Sequence, residues 1–322
     1  MENRYRPRRT VLSVPGSSAK MIQKAKSLPA DEVFLDLEDA VAPDAKAEAR
    51  TAVAAALAEP GWSGQLRGVR VNDWTTPWTH ADLIEVVSAV GSAPDASLDI
   101  VVLPKVTDVS HIQAMDLLLT QLETTHGLPL GGIGIEAQIE NAQGLTNIDA
   151  IAAAPRVQAL VLGPADMAAS LNMRTLEVGE QPEGYDVGDA HHYVLMRILI
   201  AARTHGILAI DGPFLKIRDV DGFRRVAGRS AALGYDGKWV LHPDQIAAGN
   251  EIFSPRQADY DHAELILEAY EWHTSRAGGA RGAAMLGDEM IDEASRKMAL
   301  VIAGKGRAAG MVRKEPPFQP PS

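Results

Sequence analysis

Glu38, Asp39, Arg70, Lys105, Glu140 and Asp166 are the residues of this chain whose types and spacing can do chemistry. Each lies in, or just after, a short apolar run: VFLDLE (33–38), GVRVN (68–72), DIVVLPK (99–105), GIEAQIE (134–140) and VQALVLG (157–163), the last leading into PADMA. A carboxylate that ends a buried run is costly unless a cation, a metal or a wet cavity receives it. Glu140 and Asp166 come from consecutive runs, and the chain has no cysteine. A pair of carboxylates without thiolates suits a hard cation, Mg²⁺ or Mn²⁺, which keeps positions open for substrate oxygens. An ion pair of Glu140 with Arg70 or Lys105 is the plainer alternative. Taken singly, each rim charge is more readily a solvated loop residue or a structural ion pair; the set, with apolar strand interiors between, carries the argument.

Such a set needs a scaffold that gathers many strand ends in one place. TVLSV (10–14), ILAIDG (207–212) and KWVLH (238–242) bring the strand-like runs to eight. Helix-like segments lie between them at 17–27, 43–58, 80–90, 109–125, 147–154, 189–205 and 220–234, with Pro43 and Asp44 marking one start and Gly206 and Gly234 two ends. Strand and helix alternating this often predict an α/β fold, a TIM (β/α)₈ barrel with its active site at the carboxyl ends of the strands. Asn72, Asp211 and His242 then join the rim. His242 precedes Pro243 and Asp244 and also reads as a helix start; His191 and His192 lack a partner at metal-ligand spacing and read as solvent or loop residues.

After residue 255 the rhythm changes. A helix-like stretch (256–276), a Gly/Ala loop (277–284) and a second amphipathic helix candidate (288–304) precede the Pro-rich RKEPPFQPPS (313–322). The expected organisation is a catalytic barrel over 1–255 and a C-terminal helical arm or lid over 256–322, its tail disordered. The arm must pack on the barrel or on a neighbouring subunit to bury its apolar side.

A net charge of −11 argues against a nucleic-acid surface. The amino-terminal MENRYRPRRTVLSV lacks the apolar core and cleavage site of a signal peptide, and no apolar run reaches the length of a membrane span, so a cytoplasmic protein is expected. GGIGIE (131–136) precedes its strand and is no dinucleotide fingerprint. PGSSAK (15–20) lacks the full P-loop pattern, although its backbone N–H groups, with Lys20 or Lys24, could receive a phosphate.

VLSVPGSSAKM, VFLDLEDAVAPDAKAEAR, VRVND, VLPKV, IEAQIENAQG, LGPADMAAS, DGPF and KWVLHPDQ, in this order, resemble the citrate lyase β-subunit-like family of acyl-CoA lyases over about residues 8–303. RTHGILAIDGPF, GKWVLHPDQ and the long arm look most like its L-malyl-CoA/β-methylmalyl-CoA lyase branch. The resemblance implies a Mg²⁺-dependent lyase on a TIM barrel that cleaves an acyl-CoA thioester into a smaller acyl-CoA and a small 2-oxo acid. A malyl-CoA thioesterase, a citramalyl-CoA lyase and a citrate lyase β-type subunit of a larger complex are its alternatives. It implies further that Glu140 and Asp166 hold the metal and that Arg70 faces the thioester oxygen. Lys24, Ala165, Leu241 and His242 match positions used for substrate or CoA contacts. Asp292, otherwise a solvated acid on an amphipathic helix, matches the acidic residue delivered to the active site of an adjacent subunit, so a homo-oligomer, trimer or hexamer, with shared sites is expected. Asp36, Glu38 and Asp39 would hold Arg70 in place or orient water at the metal. Two places depart from the pattern: Ser18 stands where a basic residue is expected, and 174–193 looks shorter.

Overall fold

In the second apolar run Val33, Leu35 and Leu37 alternate with Glu32, Phe34, Asp36 and Glu38, and in the computed structural model of the protein both sets are buried. The first set joins the large hydrophobic cluster that the helices cover. Phe34 belongs to a second, smaller cluster with Val11, Ile100, Val102, Ala159, Val161, Ile210 and Trp239, one or two residues from each of several strands. Strands apolar on both faces belong to a parallel sheet wrapped in helices. Here the smaller cluster is the barrel interior, and the period of two sends Glu32, Asp36 and Glu38 to the same side as Phe34.

The structure describes residues 6–94, 96–178 and 181–320; residues 1–5 of the basic amino terminus, 179–180 after the sixth strand and the last two of the Pro-rich tail lie outside them. Among the described residues, β1 (Thr10–Pro15), β2 (Glu32–Asp36), β3 (Leu66–Arg70), β4 (Ile100–Leu103), β5 (Gly134–Ile139), β6 (Val157–Leu162), β7 (Leu208–Asp211) and β8 (Gly237–Val240) close into a barrel in chain order. Neighbours are parallel throughout, and β8 returns to β1. These are the eight runs seen in the sequence, and the fold is the expected TIM-type barrel.

The covering helices are α1 (Ala19–Ala25), α2 (Lys46–Ala58), α3 (Thr79–Gly91), α4 (Val109–His126), α5 (Ala142–Thr146), α6 (Ile148–Ala152), α7 (Pro164–Ser170), α8 (His192–Thr204), α9 (Val220–Leu233) and α10 (Pro243–Ile252). Side-chain caps start several of them: Asp108 accepts the Ser110 N–H, Asn141 that of Gly144 and Asp219 that of Gly222. Among the described residues no helix is long and apolar enough to cross a membrane.

The barrel unit is Arg8–Phe253; among the described residues, 254–320 with Arg6 and Pro7 form a second compact unit. In it α11 (Gln257–Thr274) and α12 (Glu293–Ala308) bury Ala263, Ile266, Ala269, Ala299 and Ala303 against each other. Between them β9 (Ala284–Leu286) and β10 (Glu289–Ile291) form an antiparallel hairpin that turns at Gly287, φ 61°. The second C-terminal helix therefore begins at Glu293, later than the amphipathic pattern suggests, because the turn claims the preceding residues and Asp292 caps the helix. The Asp292 carboxylate accepts the Ser295 N–H at 2.9 Å while the Asp292 N–H donates to the Ser295 hydroxyl at 3.3 Å, a reciprocal capping box. The Pro-rich end has fixed contacts as far as Phe318. Arg313 pairs with Glu268 at 2.6 Å, the Phe318 N–H donates to the same carboxylate at 2.7 Å, and the Phe318 ring lies 5.9 Å from Trp272. Pro316 and Pro317 have little backbone freedom to lose on ordering.

Candidate active site

The register of β2 against β3 makes Asp36 and Arg70 neighbours. Arg70 donates from Nε and Nη2 to the two Asp36 oxygens at 2.7 and 2.6 Å, and its Nη1 lies 3.0 Å from Glu38 Oε2. Asp36 also accepts the N–H groups of Glu38 and Ala40, so this carboxylate is fully partnered. The guanidinium rests 5.4 Å above the Trp239 ring, which packs on Phe34. Arg70 is 6% exposed. Burial disfavours its charge, but Asp36 and then Glu38 overcome that and hold it more firmly protonated than usual. Below them the Lys46 ammonium donates to the carbonyls of Leu37 and Glu38, both at 2.7 Å, and fixes the turn that carries Glu38.

Lys105 follows β4 with φ 52°, in the left-handed region that side chains other than glycine rarely adopt. Its main-chain N–H donates to Glu140 Oε1 at 2.6 Å, and its ammonium bonds Glu38 Oε1 and lies 3.7 Å from Asp39. The other Glu140 oxygen accepts the Gln138 amide at 2.5 Å. Gly163, which precedes α7, makes room for this arrangement: a Cβ there would stand 2.3 Å from Glu140 Oε2. Asp166 lies in the first turn of α7, half-buried. Burial, and then the Asp166 charge, push the Glu140 carboxyl up to about 8. Two carboxylates so placed resist carrying both negative charges unless a cation shares them. A divalent cation fits. Both donors are hard oxygens, and two carboxylates occupy only part of the shell of such an ion, which leaves positions for water and substrate. Glu140 is held by hydrogen-bond donors rather than by the ion pair weighed as its alternative.

Other rim residues have different employment. Asn72 is tied to Asp82, which also receives Arg50. Asp211 is bonded to Lys238 at 2.6 Å, and both face a cavity of about 20 Å³ lined also by His191, Leu195, Val226 and Arg229. That places Asp211 outside the sheet, under α8 and α9, and off the rim where the sequence put it: Ile210 takes the inward position, and Asp211 must face outward. His191 likewise is buried at 6% exposure with Nε2 lacking a hydrogen-bond partner, a correction to its expected loop exposure; His192 is exposed. His242 caps α10 by accepting the Asp244 N–H at 3.3 Å. Leu241 is half-buried with its N–H on Gln245, while Lys24 on α1 and Ala165 in α7 are exposed. Asp292 belongs to the second unit, where the Ser295 N–H and then its hydroxyl hold its carboxyl below the usual range. Gln138 and Gly163 also shape the site, although neither is a charged strand-end residue. Gln138 was within reach of sequence reasoning, since it stands two residues before Glu140 and so shares its face.

The family described as HpcH/HpaI aldolase/citrate lyase matches residues 9–243, a span that takes in all eight barrel strands. The chain belongs to this family. Within the HpcH/HpaI aldolase/citrate lyase family, it is 39% identical over 306 residues to the L-malyl-CoA/β-methylmalyl-CoA lyase of Cereibacter sphaeroides, covering 92% of this chain and 94% of the relative. It is 34% identical over 271 residues to a (3S)-malyl-CoA thioesterase of the same species, 84% of this chain and 86% of that one. The protein CitE of Mycobacterium tuberculosis, solved in complex with magnesium, acetoacetate and coenzyme A, superposes with a TM-score of 0.70 at 27% identity, covering 94% of this chain and 98% of that chain. Membership in the aldolase/citrate lyase family makes this chain an enzyme of carbon–carbon bond cleavage, and the guanidinium and paired carboxylates lie at the carboxyl ends of its strands, where barrel enzymes do their chemistry.

Proposed function

We propose that the chain is a Mg²⁺-dependent lyase that reversibly cleaves L-malyl-CoA to glyoxylate and acetyl-CoA, and β-methylmalyl-CoA to glyoxylate and propionyl-CoA, by a retro-aldol step. The observation that carries this reading is the buried, bidentately held Arg70 in the same network as the Glu140 and Asp166 pair. Similarity to a malyl-CoA lyase over nearly the whole of both chains supports it. Glu140 and Asp166 would hold the Mg²⁺, which when bound polarises the oxygens at the hydroxy-acid end of the substrate. Arg70 faces the thioester oxygen. The substrate hydroxyl gives up its proton to solvent and becomes the glyoxylate carbonyl as the carbon–carbon bond breaks; the electron pair of that bond passes into the thioester as an enolate, and the fixed guanidinium stabilises the oxygen where charge develops. Asp292 delivers a proton to the enolate carbon, and in the condensation direction removes it. Lys24, Ala165, Leu241 and His242 contact the CoA and acyl portions.

Incubation of the purified protein with malyl-CoA and Mg²⁺, with and without a chelator, tests this by following glyoxylate, acetyl-CoA and free malate together. Equal glyoxylate and acetyl-CoA, abolished by the chelator, are expected. Malate with free CoA would make the protein a thioesterase, and no product from malyl-CoA would overturn the substrate assignment.

The active form is a homo-oligomer in which Asp292 of one chain serves its neighbour. Mixing an Arg70→Ala variant with an Asp292→Ala variant should regain activity. No gain despite verified subunit exchange removes the sharing.

A further inference from the structure

Arg70 gives three of its donors to two buried carboxylates, Asp36 and Glu38. A guanidinium so matched has little positive charge left for a substrate oxygen. The cations nearby are Lys46, which is spent on main-chain carbonyls, and Lys105. With Asp82 paired to Arg50, and Glu140 and Asp166 matched by the divalent cation they would hold, three cations face the buried carboxylates Asp36 and Glu38 and leave one net positive charge around Arg70; removing Lys105 cancels it. Asp39 changes this little, because its side chain is 62% exposed and water screens it.

The backbone argues that this lysine is kept for its side chain. At φ 52° glycine would supply the N–H for Glu140 without strain. Lysine is there despite the conformation, and strained residues of this kind concentrate at functional sites.

We propose that Lys105 is a positioning residue for the lyase reaction: its ammonium occupies Glu38, so that Arg70 presents net positive charge to the developing enolate, while its main chain holds Glu140. The inference rests on the function proposed above, and its test separates the two. Lys105→Met, Lys105→Gly, Glu38→Gln and the Lys105→Met/Glu38→Gln double variant are compared in two readouts, the kcat and KM of malyl-CoA cleavage and calorimetric binding of oxalate, a dianionic analogue of glyoxylate that senses the net charge of the site, in the presence of Mg²⁺. Loss of one unit charge near the reacting oxygen should lower kcat by about thirtyfold in Lys105→Met, with little change in KM, and weaken oxalate by about tenfold. Lys105→Gly should show the same losses while melting no lower than the wild type, which guards against a variant that fails to fold. The double variant keeps the wild type's net charge around Arg70, because the carboxylate and its counter-charge leave together, so both quantities should rise well above the Lys105→Met level, to within the loss that removing Glu38's grip on Arg70 causes.

A double variant no better than Lys105→Met, a Lys105→Gly variant with wild-type kcat, or a wild type that does not bind oxalate overturns the proposal. Oxalate binding that follows this pattern in a protein inert toward malyl-CoA leaves Lys105 in its role and defeats the substrate assignment instead.

Discussion

Glu38 shows how a residue can be costly to bury and still be required. Burial pushes its carboxyl above the ordinary value, against the pull of Arg70 and of Lys105, and it receives a cation on each oxygen. Replacing it with Gln keeps the shape but loses the charge that aligns Arg70. Turnover should fall by about tenfold, the worth of one hydrogen bond to a charged group, while the thermal midpoint moves little. Unchanged kcat would remove Glu38 from the site's function. Gly163 is the second case, decided by space. A methyl group there meets Glu140 at 2.3 Å from Oε2 and 2.5 Å from Cβ, so Gly163→Ala must displace the carboxylate. The Mg²⁺ concentration for half-maximal activity should rise by about tenfold or more, since displacing a metal ligand costs on that scale. A titration of activity against Mg²⁺ reads it, and an unchanged midpoint would mean that Glu140 does not hold the ion.

At the scale of elements, Asp292 caps α12 and in the proposed reaction also carries the proton, two employments that substitutions can separate. As the cap of α12 it needs only a side-chain oxygen, which Asn supplies as well as Asp. As a proton carrier it needs a carboxylate. Asp292→Asn should therefore melt like the wild type and lose nearly all turnover, whereas Asp292→Ala should lose turnover and about 2 °C as well. Equal activity in Asp292→Asn and wild type would leave the residue a cap alone. The same element shows what the sequence carried and what it hid. The barrel was legible because parallel strands buried on both faces are apolar runs with polar ends, and Glu38, Arg70, Lys105 and Glu140 could be read off those ends. Asp211 was misplaced because β7 is only four residues long, too short for its alternation to show which face its last residue takes. His191 follows a segment without periodicity, so nothing in its spacing announced burial. The amphipathic pattern starts α12 too early because Met290 and Ile291 continue it, whereas the hairpin uses them.

Across the barrel as a whole, charge is buried at both ends and serves different purposes. At the amino-terminal end Arg8 lies 2.8 Å from Glu136 and 3.3 Å from Glu32, and Gln158 accepts a further Arg8 donor. Both glutamates are fully buried, and three of their four oxygens lack a hydrogen-bond partner. One arginine cannot balance two such carboxylates. Burial, and then the neighbouring Glu136, hold the Glu32 carboxyl well above its ordinary value, with Asp99 adding to the rise and Arg8 opposing it. Burial raises Glu136 as well. A group whose pKa is raised in the folded state stabilises the fold fully below its unfolded value, near 4.5, and that contribution is lost as pH rises through the folded value. Glu32→Gln keeps a neutral side chain able to donate to Glu136 at every pH. Relative to the wild type it should gain about 3 °C or more in thermal midpoint at pH 8, a gap that closes toward pH 5 because the wild-type carboxyl is then protonated. Melting curves of both proteins across this range decide it: a gap that does not change with pH would mean that Glu32 holds no proton in the folded state. Its distance from the strand ends that carry Arg70 and Glu140 makes a second outcome expected, a kcat for Glu32→Gln equal to that of the wild type, since the amino-terminal end of such a barrel serves stability and the carboxyl end chemistry.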